Sequence, residues 1–116
     1  MGRLNDEQIA HYHREGYVQL PAVLDRNQID RYLDRARQIA LGDVPPTAAN
    51  RLVKDIQYAK GIRPMPADPE HALWKILNPD RFDGVMAECL RLPGVLDAAA
   101  SLIGEDLMAF LLMFIY

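Results

Sequence analysis

Three histidines are the side chains of this sequence best suited to binding a metal ion or moving a proton. His11 and His13 lie two positions apart in a segment with a helical pattern, and His71 follows Glu70 in a polar stretch. Side chains two positions apart on a helix point about 200° away from each other, so His11 and His13 cannot share one metal ion. No set of His, Cys, Asp and Glu has the spacing of metal ligands, and we predict no metal site within these residues.

Nucleophilic catalysis has two candidate side chains, Cys89 and Ser101. Cys89 lies on the apolar side of a predicted helix, which is typical of a small core residue rather than a reactive thiol. Ser101 has no nucleophile-elbow pattern around it. The glycines are spaced as helix ends rather than as a phosphate-binding loop. The residues by themselves therefore favour an α+β domain and indicate no chemistry.

The composition is that of one globular domain in a chain of 116 residues. Hydrophobic residues make up 50% and charged residues 25%, which excludes wholesale disorder. A net charge of −3 argues against a nucleic-acid partner. The start of the chain lacks the apolar stretch of a signal peptide, and the single cysteine cannot form an internal disulfide. We therefore expect a soluble, cytoplasmic protein with no membrane partner.

Two amphipathic helices are predicted in the first part of the chain. The first begins after Asn5, a good N-cap residue, and ends at Gly16. The second lies between Asp25 and Gly42, and its polar face, which includes Arg35, is expected in solvent. Its apolar stripe consists of Ile29, Tyr32, Leu33, Ala36, Ile39 and Ala40.

The predicted strands are short and separated by turns. Residues 17–20 and 72–77 have strand character, and another strand is indicated around residues 52–58. The last of these lies inside segment 44–69, which holds five of the eight prolines and which we predict to be a long surface loop. Helices are predicted over residues 82–90 and from Pro93 to Gly104. The apolar stripe of the latter helix is Leu96, Ala99, Leu102 and Ile103.

Residues 107–116 are all apolar and are predicted to form a strand with two apolar faces. Such a strand needs cover on both faces, and an exposed apolar edge invites pairing with another chain. We therefore expect that the sequence is part of a longer domain, and that this chain associates with itself through its C-terminal strand.

Several segments carry a resemblance to a known family when they are taken in order. They are LNDEQI at residues 4–9, EGYVQLP at 15–21, LPGVLD at 92–97, LIGED at 102–106 and LLMFIY at 111–116. In this order they resemble the N-terminal part of the phytanoyl-CoA dioxygenase family. The resemblance covers essentially the whole chain.

The resemblance implies a fold and a chemistry. Family members are non-haem iron(II), 2-oxoglutarate-dependent oxygenases on a double-stranded β-helix, with iron held by a His-x-Asp pair and a distal His. Residues 1–116 would then be a single-domain fragment containing the helical cap and the first strands of a jelly-roll, cupin-like barrel. The ligands would follow Tyr116, so we expect no bound iron and no activity from the fragment. The complete protein would use Fe(II) and 2-oxoglutarate to hydroxylate a small organic substrate.

The resemblance also implies two cosubstrate contacts within this chain. Lys75, on the strand before the third helix, matches a lysine that would pair with anionic 2-oxoglutarate. Met113, on the last strand, matches a methionine that would pack against the cosubstrate. By themselves, a single lysine is usually solvent-exposed and a methionine in an apolar strand is usually core.

A different class of function remains open. The chain would then be a stand-alone, non-catalytic α+β module that pairs its C-terminal strand with a partner sheet. The reading frame downstream of the Tyr116 codon distinguishes the two hypotheses, because only the oxygenase needs a following His-x-Asp.

Overall fold

The computed structural model describes residues 3–116, which combine helices with one small antiparallel sheet. The α-helices are α1 (Asp6–Glu15), α2 (Arg26–Ala40), α3 (Ile56–Ala59), α4 (Gly84–Ala87) and α5 (Pro93–Ile103). The strands are β1 (Leu52–Lys54), β2 (Leu73–Leu77) and β3 (Met113–Ile115). Short 3-10 helices occupy Pro46–Arg51, Pro69–Ala72, Pro79–Arg81 and Glu88–Arg91. The predicted α+β class is confirmed, whereas the jelly-roll barrel stays a prediction.

Helices α1 and α2 begin at the N-caps that the sequence predicts. The Asn5 side chain accepts a hydrogen bond from the Gln8 backbone N–H at 2.8 Å, and the Gln8 side chain accepts one from the Asn5 N–H at 3.0 Å. Asp25 and Gln28 form the same reciprocal pair at the start of α2. Each capping box satisfies two backbone donors that the first turn leaves free, which fixes where the helix starts.

The sheet has the order β1-β2-β3, and both pairings are antiparallel. In the register of β1 with β2, Leu52 is opposite Ile76 and Val53 is opposite Lys75. In the register of β2 with β3, the opposed pairs are Lys75 with Ile115, Ile76 with Phe114 and Leu77 with Met113. Lys54 is opposite Leu73, after a register shift between Val53 and Lys54. Away from that shift, residues directly opposite each other share a face of the sheet, so the register divides the side chains into two sets.

One face of the sheet, which we call the inner face, consists of Leu52, Ile76 and Phe114. It packs against α2 and α4, where Ala36, Ile39 and Met86 are buried. Ile76 and Ile39 are fully buried, and Met86 is 1% exposed. The hydrophobic core therefore lies on one side of the sheet, between the inner face and the helices.

Two predictions for the middle of the chain are corrected by the structure. Residues 17–20 are not a strand, because no neighbouring strand in the described part of the chain pairs with them. The strand expected around residues 52–58 stops at Lys54, since the Asp55 side chain accepts the Gln57 N–H and starts α3. Segment 44–69 is therefore not one uninterrupted loop: it contains a 3-10 helix, β1 and α3.

The second half of the chain brings further corrections. Residues 82–90 form α4 followed by a 3-10 turn instead of one continuous helix. Helix α5 has the predicted bounds, but it buries the small residues Gly94 and Ala98 and leaves Ile103 73% exposed. Within 107–116 only Met113–Ile115 is a strand, because β2 offers a partner only to its end at Asn78-Pro79. Segment 107–112 is irregular, with Met108 and Phe110 exposed.

None of the helices within residues 3–116 has the length and apolar character that crossing a bilayer requires.

Candidate functional site

The structure brings Lys75 and Met113 onto the same face of the sheet. Lys75 is opposite Ile115, and Met113 is opposite Leu77, the next residue of β2 on that face. Lys75 and Met113 are thus diagonal neighbours on adjacent strands, a separation that long side chains can bridge. Val53 joins them, because it is opposite Lys75 on β1. We call this set the outer face: Val53, Lys75, Leu77, Met113 and Ile115.

The Lys75 ammonium group lies beside an aromatic ring. Its Nζ atom lies 4.2 Å from the centre of the Trp74 ring, which places the charge over the π system. None of the salt bridges within residues 3–116 involves Lys75. The three N–H donors of the ammonium group can therefore form hydrogen bonds with a bound anion without breaking an ion pair of the described chain.

The surroundings of Lys75 on the outer face are apolar. Met113 is 37% exposed and Ile115 is 59% exposed, so this face is open at its β3 side. A cation among apolar side chains matches a ligand that has both a carboxylate and a short hydrocarbon part. The strands that carry these side chains are anchored on their opposite face, because the inner-face residues Ile76 and Phe114 pack into the core.

Metal-binding chemistry finds no support in the described residues. Residues 3–116 contain no group of three His, Cys, Asp or Glu side chains placed to hold a metal ion. His71 is mostly exposed, and its Nε2 lies 3.7 Å from the Asp68 carboxylate.

The candidate nucleophile Cys89 is half-buried. Burial raises the pKa of its thiol, and the nearby Glu88 carboxylate adds to the effect. A raised pKa leaves the sulfur protonated near neutral pH, so the environment does not activate it. Cys89 lines an open apolar groove of about 530 Å³ between α5 and segment 107–112. Leu96, Ala99 and Ile103, predicted to face the core, line this groove instead.

A buried ion pair on α2 was missed by sequence reasoning. Arg35, expected on the solvated face, is only 20% exposed and donates from Nε to the Asp83 carboxylate at 2.8 Å. The other carboxylate oxygen of Asp83 accepts the Met86 N–H at 2.9 Å and caps α4. The spacing of Asp83 directly before a short helix is a capping signal, but nothing in the sequence indicates its partner 48 residues away.

A second missed cluster joins α2 to the end of β3. The Arg37 Nη1 atom donates to Asp68 and to Glu70, both at 2.9 Å. The Tyr116 hydroxyl donates to the other oxygen of Glu70 at 2.7 Å. The partners are 33 and 46 residues apart, so no local pattern could have identified them.

The fold and this surface define an α+β domain with one sheet face packed and the other face open around a lysine. Comparison of the chain with protein-family models, with curated proteins and with solved structures gives no match.

Proposed function

We propose that this chain is the N-terminal part of an iron(II)/2-oxoglutarate-dependent oxygenase similar to the phytanoyl-CoA dioxygenases, acting on a small organic substrate. The observation that supports the proposal is the outer face. Lys75 and Met113, assigned to the cosubstrate from the order of short motifs, are 38 positions apart in the sequence and diagonal neighbours in the sheet.

The residues of the outer face fit 2-oxoglutarate. A carboxylate of 2-oxoglutarate would accept charge-assisted hydrogen bonds from the Lys75 ammonium group. The flexible thioether of Met113 would contact the methylene groups of the cosubstrate. The position of Nζ over Trp74 limits the freedom of the lysine side chain, which lowers the entropy lost when it binds an anion.

The iron does not fit within the described residues, because they contain no ligand set. In the proposed protein the ligands lie outside this sequence. Iron-dependent oxygenases of this kind couple the oxidative decarboxylation of 2-oxoglutarate to hydroxylation of the substrate. The residues of this chain would bind and orient the cosubstrate, and they would exclude water from its apolar side.

A lysine exchange tests the proposal in the protein extended past Tyr116. Lys75→Met keeps the apolar stem and removes the charge, so the fold should be retained. Loss of one charge-assisted hydrogen bond should raise the KM for 2-oxoglutarate roughly ten- to a hundredfold. Lys60→Met, on an exposed residue outside the sheet, is the control and should change neither KM nor Tm.

Two results would overturn the proposal. One is succinate release that saturates at the same 2-oxoglutarate concentration in Lys75→Met and in the wild type. The other is a reading frame that stops after the Tyr116 codon or continues without a His-x-Asp motif.

A second candidate function is favoured by the open edge of β3. The Leu112 carbonyl accepts a hydrogen bond from the Asn78 N–H, and the Tyr116 N–H donates to the Trp74 carbonyl. The backbone groups of Met113 and Ile115 therefore point away from β2. No charged residue lies between Leu107 and Tyr116 to oppose pairing. On this alternative, the chain is a non-catalytic module that adds β3 to the sheet of a second copy.

Light scattering tests this alternative with the chain itself. The wild type should be oligomeric at high concentration, and Ile115→Lys, which places a charge at the open edge, should shift it toward monomer. Ile103→Lys is the control, because it adds the same charge to an exposed apolar site away from the sheet. A monodisperse wild-type monomer contradicts the pairing.

A further inference from the structure

The register of β3 on β2 is not determined by hydrophobicity alone. Residues 111–116 are apolar at every position, and only three of them form the strand. A slip of one residue would exchange the two faces of the strand and still place apolar side chains on both. Such a strand needs another interaction to select one register.

Tyr116, directly after β3, provides such an interaction. Tyr116 has the same parity as Phe114, and their rings are 5.2 Å apart, so both lie toward the inner face. The Tyr116 hydroxyl donates to Glu70 at 2.7 Å. Arg37 holds the other Glu70 oxygen at 2.9 Å, and the Glu70 side chain is only 17% exposed.

We infer that Tyr116, acting through Glu70 and Arg37, is a positioning residue that sets the register of β3 on β2. Glu70 lies three residues before β2 and Arg37 lies on α2, so the acceptor is fixed to the strand that β3 must match. A one-residue slip turns the Tyr116 side chain toward the outer face, away from Glu70. The same slip turns Met113 toward the inner face and removes it from Lys75.

The register itself does not depend on any ligand. Only its consequence, which is that Met113 and Lys75 face one cosubstrate, rests on the proposed function. A measurement of register therefore fails or succeeds independently of the 2-oxoglutarate measurements on Lys75→Met.

Disulfide trapping measures the register in the full chain, with Cys89→Ala as background. Hydrogen bonds join Asn78 to Leu112 and Trp74 to Tyr116, so Leu77 and Met113 form a non-hydrogen-bonded pair with close Cβ atoms. Leu77→Cys with Met113→Cys reports the observed register. Leu77→Cys with Leu112→Cys reports a slip of one residue. Mass spectrometry of the monomer fraction counts only intramolecular cross-links.

The observed register should dominate in the chain with Tyr116 intact. Tyr116→Phe should lower the ratio of in-register to slipped cross-links by roughly two- to threefold, because Tyr116 is about half exposed and solvent weakens its hydrogen bond to Glu70. Tyr17→Phe, at a half-exposed tyrosine, is the matched control and should leave the ratio unchanged. An unchanged ratio in Tyr116→Phe would overturn the inference.

A conservative rescue separates positioning from general stability. Glu70→Gln keeps an acceptor oxygen for the Tyr116 hydroxyl and should retain most of the in-register cross-link, whereas Glu70→Leu should not. Equal ratios in these two variants would also overturn the inference, because the carboxylate would then not act through the hydroxyl.

Discussion

The two faces of the sheet differ in what lies against them. The inner face, built from Leu52, Ile76 and Phe114, packs on helices α2 and α4 and leaves Ile76 fully buried. The outer face carries Lys75 and apolar neighbours, and its Ile115 is 59% exposed. Both faces belong to the same three short strands, so backbone pairing alone does not explain the difference.

The difference separates stability from recognition. Burial of apolar area is the main stabilising contribution, and in this sheet it comes from the inner face together with Leu73 at the start of β2. The outer face keeps apolar area and a cation in solvent, where they are free to contact another molecule. Substitutions on the two faces should therefore affect different measurements.

The largest expected effect comes from truncating the inner face. Ile76→Ala removes a fully buried side chain from the core and should lower the free energy of unfolding by about 2–5 kcal/mol. Ile115→Ala, the same substitution on the outer face of the adjacent strand, should lower it by less than about 0.5 kcal/mol. Urea denaturation of both variants measures the contrast. Equal losses would show that the outer face is covered in solution.

Helices α1 and α2 were predicted well because their signals are local. Asn5 with Gln8 and Asp25 with Gln28 lie within one turn, so the sequence alone contains both halves of each cap. The strands were predicted less well, since a strand exists only where a partner strand is available. Residues 17–20 have strand character but no partner within the described residues, and 107–112 continue past the end of β2.

The residues of the candidate site were also difficult to predict, because their arrangement depends on contacts between distant segments. Lys75 and Met113 could be selected only through a resemblance, because neither residue has a local pattern that indicates a ligand. Their position on one face depends on the register of β3, which the apolar run 111–116 does not encode. Arg35 is predicted on the solvent-facing side of an amphipathic helix, and its partner Asp83 comes from a distant segment.

A smaller effect is expected from the ion pair that supports the inner face. Asp83 caps α4, whose Met86 lies in the core, and Arg35 holds the Asp83 carboxylate. Arg35→Met should lower the free energy of unfolding by about 1.5–3 kcal/mol, the range for hydrogen bonds to charged groups. Arg31→Met is the matched control, because its pair with Glu88 is about half exposed and should have a much smaller effect on stability.

The pH dependence of this difference has a definite sign. Burial by itself raises the pKa of Asp83, but hydrogen bonds from Arg35 and the Met86 N–H outweigh it, and the net pKa is lowered. A carboxyl whose pKa is lowered in the folded state contributes its full stabilisation at pH values above its unfolded-state pKa of about 4. That stabilisation is lost as the pH falls through the folded-state pKa. The difference between wild type and Arg35→Met should therefore shrink in acid. A difference that is constant between neutral and strongly acidic pH would contradict this role for Asp83.

The smallest effect is expected at Tyr116, which joins the end of β3 to the inner side of the sheet. Burial and the hydrogen bond to Glu70 both raise the pKa of the Tyr116 hydroxyl, the nearby Asp68 adds to the shift, and Arg37 opposes it. Because the pKa of Tyr116 is raised in the folded state, its stabilisation is complete at pH values below the unfolded-state pKa of about 10. The stabilisation is lost as the pH rises above that value. Because Tyr116 is 46% exposed, we expect a contribution of only about 0.5 kcal/mol at neutral pH.

The stability of wild type and Tyr116→Phe should converge in alkali, while Tyr17→Phe should follow the wild type throughout. Only the difference between wild type and Tyr116→Phe reports this hydroxyl, and a difference that does not close above pH 10 would refute its contact with Glu70.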